Sequence, residues 1–396
     1  MLDCAAGLYR TGWLGSKHFI ILLMKRLFKK QHNNAFANQF LASLIDSTVP
    51  LDNTKKFFDD PAALFPGVFI VLRQASDSSK GVLLIKYSYY FPLFFKLFDV
   101  VAIAKRYHIV LEPSWAGTCE AGIMAFATLE EPVFVMAYEN RDYDYLAGIE
   151  TNLVPVRLSS NWWVDHRNFS NDQQLDKEID IAVVSSWANF KRHYFIFKAL
   201  SKIKQQRPLK VSLVGYPADM TMADIQDMVD AFGLTDNVQI QEWLPPEEVS
   251  NILQRSKIHL LWSRFEGLNR SIIEGMFCGT PCILREGFNY GQKYPYINEQ
   301  TGIFSSEGQL AANITHMLDN YTEYSPREYV MANHTPEIAT QILHQKIKQF
   351  EVPQSASAEL AFKVNALHGM AYMDKELQTH FDGDYQFILS KLKVAS

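Results

Sequence analysis

Short runs of β-branched and aromatic residues alternate with helix-length segments along most of the chain, the pattern of parallel sheets joined by crossover helices. In the first half the runs fall at 68–72, 82–87, 108–111, 133–138 and 153–158. In the second half they fall at 179–185, 210–214, 238–242, 258–262, 282–284 and 302–304. Two such α/β sheets facing each other leave a cleft at the carboxyl ends of their strands, where α/β proteins bind ligands. Residues 1–66 carry helix-like segments and a polar stretch at 46–60, and the tail after Val352 opens with a polar Pro-Gln-Ser-Ala-Ser-Ala linker and ends in a predicted helix.

Composition narrows this picture. The chain has 396 residues, too many for one hydrophobic core and suited to two α/β domains. With 48% hydrophobic and 20% charged residues it reads as packed rather than disordered, and a net charge of -5 argues against a nucleic-acid footprint. Cys4, Cys119, Cys278 and Cys282 show no C-x2-C pairing; Cys278 and Cys282 flank a Gly-Thr-Pro turn and read as small buried residues of a reducing compartment. No apolar run reaches the ~18 to 20 residues of a membrane span. Residues 19–24 (FIILLM) are too short to cross, and no small-residue cleavage site follows them, so the sequence predicts no cleaved signal peptide. Lys25, Arg26, Lys29 and Lys30 come next. The plain reading is a helix packed on the first domain; the alternative is an apolar and basic surface for an anionic membrane.

The most informative segment is Phe265-Glu266-Gly267-Leu268-Asn269-Arg270-Ser271-Ile272-Ile273-Glu274-Gly275-Met276-Phe277-Cys278-Gly279-Thr280-Pro281. It sets two carboxylates at the ends of a loop that opens an apolar helix. Asn269 can cap that helix, leaving the N–H groups of Arg270, Ser271 and Ile272 as a seat for a phosphate. Glu274 stands among Ile272, Ile273, Met276 and Phe277, where an unpaired charge is costly, so a hydroxyl-rich ligand at the helix mouth would explain it.

This run resembles the E-x7-E signature of retaining nucleotide-sugar glycosyltransferases with the GT-B fold, the group usually called family 4. The likeness continues in order through residues 209–215 (LKVSLVG), 232–238 (FGLTDNV), 243–249 (WLPPEEV), 258–264 (IHLLWSR) and 278–283 (CGTPCI), over about the second half of the chain. Residues 183–193 (VVSSWANFKRH) resemble the segment that opens the nucleotide-binding domain. Lys191 falls on the family's phosphate-binding lysine, and Ser186 falls where the family has an arginine. Arg192 and Arg264 are the candidates to supply the lost charge. The resemblance implies an α/β GT-B fold of two Rossmann-like domains facing across a cleft. It implies an N-terminal extension at 1–66, an acceptor domain at 67–172, a nucleotide-sugar domain at 179–350 and a linker with C-terminal helix at 351–396.

The same resemblance assigns donor binding to Lys191, Arg192, Arg264, Gly267, Leu268, Asn269, Arg270 and Glu274, with Glu274 accepting from ribose hydroxyls, and catalysis to Glu266 and Glu139. Glu139 lies where relatives often carry a histidine after the strand at 133–138, and Glu112 is a weaker candidate after another strand. Asp142-Tyr143-Asp144 spells the metal motif of a different glycosyltransferase fold, but lacks that fold's strand pattern, so no metal or other cofactor is expected. The aromatic run at 87–98 reads as core first and acceptor or membrane surface second. Residues 288–294 (FNYGQKY) fall where the family reads the donor. The implied protein is a cytoplasmic enzyme, or one peripheral to the cytoplasmic face of a membrane, moving a sugar from a nucleotide-sugar donor to a glycan or lipid-linked acceptor. A non-catalytic nucleotide-sugar binding protein on the same fold is the alternative.

Overall fold

The computed structural model describes residues 2–50, 52, 54–114, 120–171, 175–266, 269–287, 294–351, 358–366 and 369–393, with side chains except at 3 and 30–34. The chain divides into two compact units, Met1–Trp163 with Pro336–Ser396, and Val164–Thr335.

The first unit is built on a five-stranded sheet of β1 (Phe69–Arg73), β2 (Gly81–Lys86), β3 (Tyr107–Glu112), β4 (Val133–Met136) and β5 (Leu153–Val156), in that order. β2 to β5 are parallel. β1 is antiparallel to β2 because the residues between them are too few for a crossover helix. Every position of β1 to β4 is buried, as expected of strands covered on both faces. Helices α1 (Leu2–Thr11), α2 (Ser16–Phe28) and α3 (Lys30–Ser47) belong to this unit, and Tyr9, Ile20, Met24 and Phe28 join its core. The aromatic run forms the helix Tyr90–Leu97, whose Phe91 and Phe94 pack on Phe126 and Phe69. The helix is therefore core, while Tyr89 ahead of it is exposed.

The second unit has a six-stranded, all-parallel sheet of β6 (Ile179–Val184), β7 (Val211–Gly215), β8 (Val238–Glu242), β9 (Ser256–Leu261), β10 (Cys282–Arg285) and β11 (Gly302–Ser305). Their order is β11-β10-β9-β6-β7-β8. The winding direction reverses between β6 and β9, and in such sheets ligands bind outside the carboxyl ends of the strands at that point.

Each run that reads as a strand is a strand, with its ends moved by at most two residues. The tail departs from expectation. Of its linker, 353–357 lie outside the described residues, but before the final helix, Asp382–Leu389, the tail forms a hairpin of β12 (Lys363–Ala366) and β13 (Gly369–Tyr372). KVNA alternates polar and apolar residues over four positions only and GMAY does not alternate, so neither carries a strong strand signal. The hairpin is held from outside: Ala361 N–H donates to Leu72 O and Met370 N–H to Gly67 O, each at 2.7 Å.

Candidate active site

Two loops meet at the reversal point of the second sheet. One leaves β6, passes through a tight turn, Asn189–Lys191, and enters the helix His193–Lys204. Arg192 between them is left-handed, at φ 61°, which breaks the turn from the helix. The other leaves β9 and carries Glu266. Arg264 N–H donates to Phe190 O at 2.7 Å, and the rings of Phe190 and Phe265 stack at 4.8 Å between centroids. Lys191, buried, forms an ion pair with Glu266, whose Oε1 also accepts from Ser263 Oγ at 2.5 Å. The structure thus joins the lysine and the first glutamate of the E-x7-E run directly, a contact between residues far apart in sequence that no local pattern announces.

Glu274 lies on the helix Arg270–Phe277, which Asn269 caps by accepting from Ile272 N–H at 3.1 Å and from Ser271 Oγ at 2.9 Å. The cap occupies the Ile272 N–H that the sequence reading left open to a ligand, so the seat is smaller than expected. Every residue from Ser271 to Phe277 is buried, Glu274 included. Burial pushes the Glu274 carboxyl above the usual range, and Arg270 at 3.2 Å only partly offsets it. Gly275 lets the helix lie on β9, since a Cβ there would come to 3.0 Å from His259 Nδ1. His259 is fully buried with no hydrogen-bond partner on either ring nitrogen among the described residues. Burial, then the charge of Lys191, lowers its pKa to about 3; the same two causes lower His193 to about 4. Both rings are neutral in the presence of the Lys191 field.

The cations around Lys191 include one that sequence reasoning missed. Arg192 pairs with Glu307 at 2.8 Å and lies over the Phe195 ring. Arg264 is exposed. Arg285, at the end of β10, donates to the carbonyls of Ser263, Arg264 and Gly287 at 3.1 to 3.2 Å, pinning the loop that carries Glu266. Burial, then Arg192 and Arg264, lowers the pKa of Arg285. Three guanidinium groups therefore share one neighbourhood, and a basic residue at the end of the strand after Cys-Gly-Thr-Pro was the signal that could have revealed the third. Gly267, Leu268 and residues 288–293 lie outside the described residues.

The candidates of the first unit are engaged elsewhere. Glu139, buried, accepts from Arg141 Nη2 at 2.7 Å. Glu112 is sealed among Lys363, at 2.7 Å, Asn365, at 2.9 Å, and Lys86, at 3.6 Å. Asp142 is buried while Asp144 is exposed, so the D-x-D pair does not converge. Among the described residues no group of three or more His, Cys, Asp or Glu could hold a metal ion. Cys278 and Cys282 are buried free thiols, as expected, and Cys119 lies outside the described residues.

Residues 165–333, nearly the whole of the second unit, match the family glycosyl transferases group 1. No curated protein sequence matches the chain. Among solved structures, sucrose-phosphate synthase from Thermosynechococcus elongatus is similar at 17% identity and TM-score 0.50, over 67% of this chain and 73% of that one. The Anabaena protein HepE, in complex with UDP-glucose, is similar at 14% identity and TM-score 0.47, over 67% and 78%. TarM is similar at 13% and 0.47, over 63% of this chain, which spans just over half (55%) of TarM. The fold is GT-B, with two Rossmann-like units.

Proposed function

We propose, from the match of residues 165–333 to the group 1 glycosyl transferases, that the chain transfers a sugar from a nucleoside diphosphate sugar to a hydroxyl of a glycan or lipid-linked glycan, with retention of configuration. The observation that carries this reading is the meeting of Lys191 with Glu266 at the reversal point of the sheet, beside the capped helix that holds Glu274. In it, Glu274 accepts from the two ribose hydroxyls, a contact that replaces solvation its burial has removed. Lys191, with Arg192, Arg264 and Arg285 nearby, stabilises the diphosphate as charge gathers on the leaving group. Arg285 would stand in for the cation missing at Ser186. Glu266 contacts the transferred sugar once the diphosphate has taken over Lys191. Asn269 and Arg270 shape the helix mouth.

No protein nucleophile is required, because the departing phosphate can take the acceptor proton, and catalysis then rests on positioning and leaving-group stabilisation. The reading needs no metal, since fixed cations and a helix N-terminus do that work. It gives Glu139 the task of holding Arg141 rather than a proton-transfer role, and it places the enzyme in the cytoplasm on the resemblance alone.

The test is release of free nucleotide from a panel of nucleotide sugars, with and without glycan acceptors, in the presence of chelator. Acceptor-dependent release unaffected by chelator is the expected result. Donor binding by calorimetry with no release on any pair would establish the non-catalytic alternative, and loss in chelator restored by magnesium would overturn the metal-free mechanism.

A further inference from the structure

The helix α2 has two faces. Ile20, Met24 and Phe28, spaced i, i+4, i+8, are buried in the core of the first unit. The opposite stripe, Phe19, Leu22 and Arg26 at i, i+3, i+7, faces outward, with Phe19 65% and Leu22 50% exposed. Before α2 the chain turns through Gly12-Trp13-Leu14-Gly15, with Gly12, Leu14 and Gly15 all left-handed, at φ 64°, 50° and 72°. A leucine takes that conformation rarely, and here the turn leaves Trp13 63% and Leu14 84% exposed. Four large apolar side chains thus stand in water on one short stretch. The stretch is firmly mounted: Tyr9 Oη donates to Arg141 O, and Lys25 and Lys29 pair with Glu150.

Charge says what covers this face. Residues 1–45 contain six lysines and arginines and one acid, a net of +5, in a chain whose formal charge is -5. Arg10, Lys25 and Lys29 are paired with Glu120 and Glu150, while Lys17 and Arg26, beside the apolar residues, have no ion pair among the described residues. No described helix is long and apolar enough to cross a membrane. A tryptophan at the tip of a turn, aliphatic and aromatic neighbours, and two uncompensated cations suit the interface of an anionic bilayer, where the ring sits at headgroup level.

We propose that residues 13–26 dock this protein on an anionic lipid surface, with Trp13, Leu14, Phe19 and Leu22 entering the headgroup boundary and Lys17 and Arg26 meeting lipid phosphates. The sequence pointed to the FIILLM run itself. The fold instead turns three of the apolar residues of α2 inward and builds the contact from its outer stripe and the turn ahead of it. The proposal does not use the donor site, so its failure would leave the glycosyl-transfer reading standing, and the reverse.

The experiment is sedimentation of the full chain with vesicles of phosphatidylcholine alone and of phosphatidylcholine with phosphatidylglycerol. Binding to the anionic vesicles only, weakening as salt rises, is expected. Trp13→Ser with Leu14→Ser should weaken it at least tenfold, and Lys17→Glu with Arg26→Glu by a similar factor, each cation contributing roughly fivefold. Because these side chains are exposed, the thermal midpoint should not move. No binding of the parent at low salt, or binding that both double variants keep, overturns the proposal. So does a concentration-dependent dimer of the parent that Trp13→Ser with Leu14→Ser dissociates, which would make the face a contact between copies of this chain.

Discussion

Glu112 in the first unit and Glu274 in the second are both carboxylates withdrawn from water, one at the carboxyl end of β3 and the other on a helix packed against β9, and their surroundings are opposite. Burial alone would raise the pKa of Glu112, but Lys363, then Lys86, and the hydrogen bonds of Lys363 and Asn365 hold it below the usual carboxylate range. Burial raises that of Glu274, and a single arginine fails to bring it back. One carboxylate is saturated by its own chain. The other is left short of partners, and an under-satisfied buried charge is retained only if something bound to the protein completes it or if folding bears its cost.

The largest effect follows from the saturated site. Glu112→Gln removes the carboxylate charge that faces both Lys363, which has no exposed surface, and Lys86, so the first unit should lose on the order of 3 to 5 kcal/mol. Hydrogen exchange of β3 and the β12–β13 hairpin in urea would measure it. An unchanged protection pattern would erase the contrast. The pH dependence carries the same sign. With its folded pKa depressed, Glu112 stabilises fully above the ordinary carboxylate range and loses that contribution as pH falls through its folded value, so the deficit of Glu112→Gln should shrink in acid.

Next in size is the under-satisfied site. Glu274→Gln should weaken nucleoside diphosphate binding by about 1.5 to 3 kcal/mol, roughly 10- to 150-fold, because an amide cannot accept from both ribose hydroxyls. The ligand-free protein should be as stable as the parent or more so. A raised folded pKa means that the contribution of Glu274 is present below the ordinary carboxylate range and lost as pH rises through its raised value, so the gain in Glu274→Gln should appear at neutral pH and vanish in acid. Calorimetry and melting curves at two pH values test both halves. Affinity equal to the parent would assign Glu274 to the fold, alongside Glu112.

How much of this was legible follows from how local each signal is. Strands such as β2 and β4 are built on continuous apolar runs, and the run from Phe265 to Pro281 holds cap, helix and both carboxylates within one segment, so these could be read directly. The fate of Glu112 could not, because its partners Lys363 and Asn365 lie on a hairpin of four-residue strands about 250 residues later. The same holds for Arg285, whose neighbours Ser263 and Arg264 are carbonyls presented by another loop. Pairing between distant residues decides which carboxylate is spare, and sequence spacing does not encode it.

The smallest effect concerns a carboxylate between the two extremes. Glu266 is satisfied in the ligand-free protein, but by Lys191, the cation that the proposed reaction needs. A diphosphate must take the ammonium from Glu266, so part of its binding energy goes into breaking that pair. Glu266→Gln removes the competitor and leaves Lys191 buried beside a neutral amide, a situation that a bound phosphate relieves. Nucleoside diphosphate affinity should therefore rise by about three- to tenfold, or ~0.6 to 1.4 kcal/mol, while turnover falls because the sugar loses its carboxylate. Opposite movement of affinity and turnover in one variant would separate Glu266 from Glu274, where both fall. If affinity drops in Glu266→Gln, the carboxylate supports the donor rather than competing with it, and Lys191 is held in its binding position by Glu266 instead of being withheld from the diphosphate.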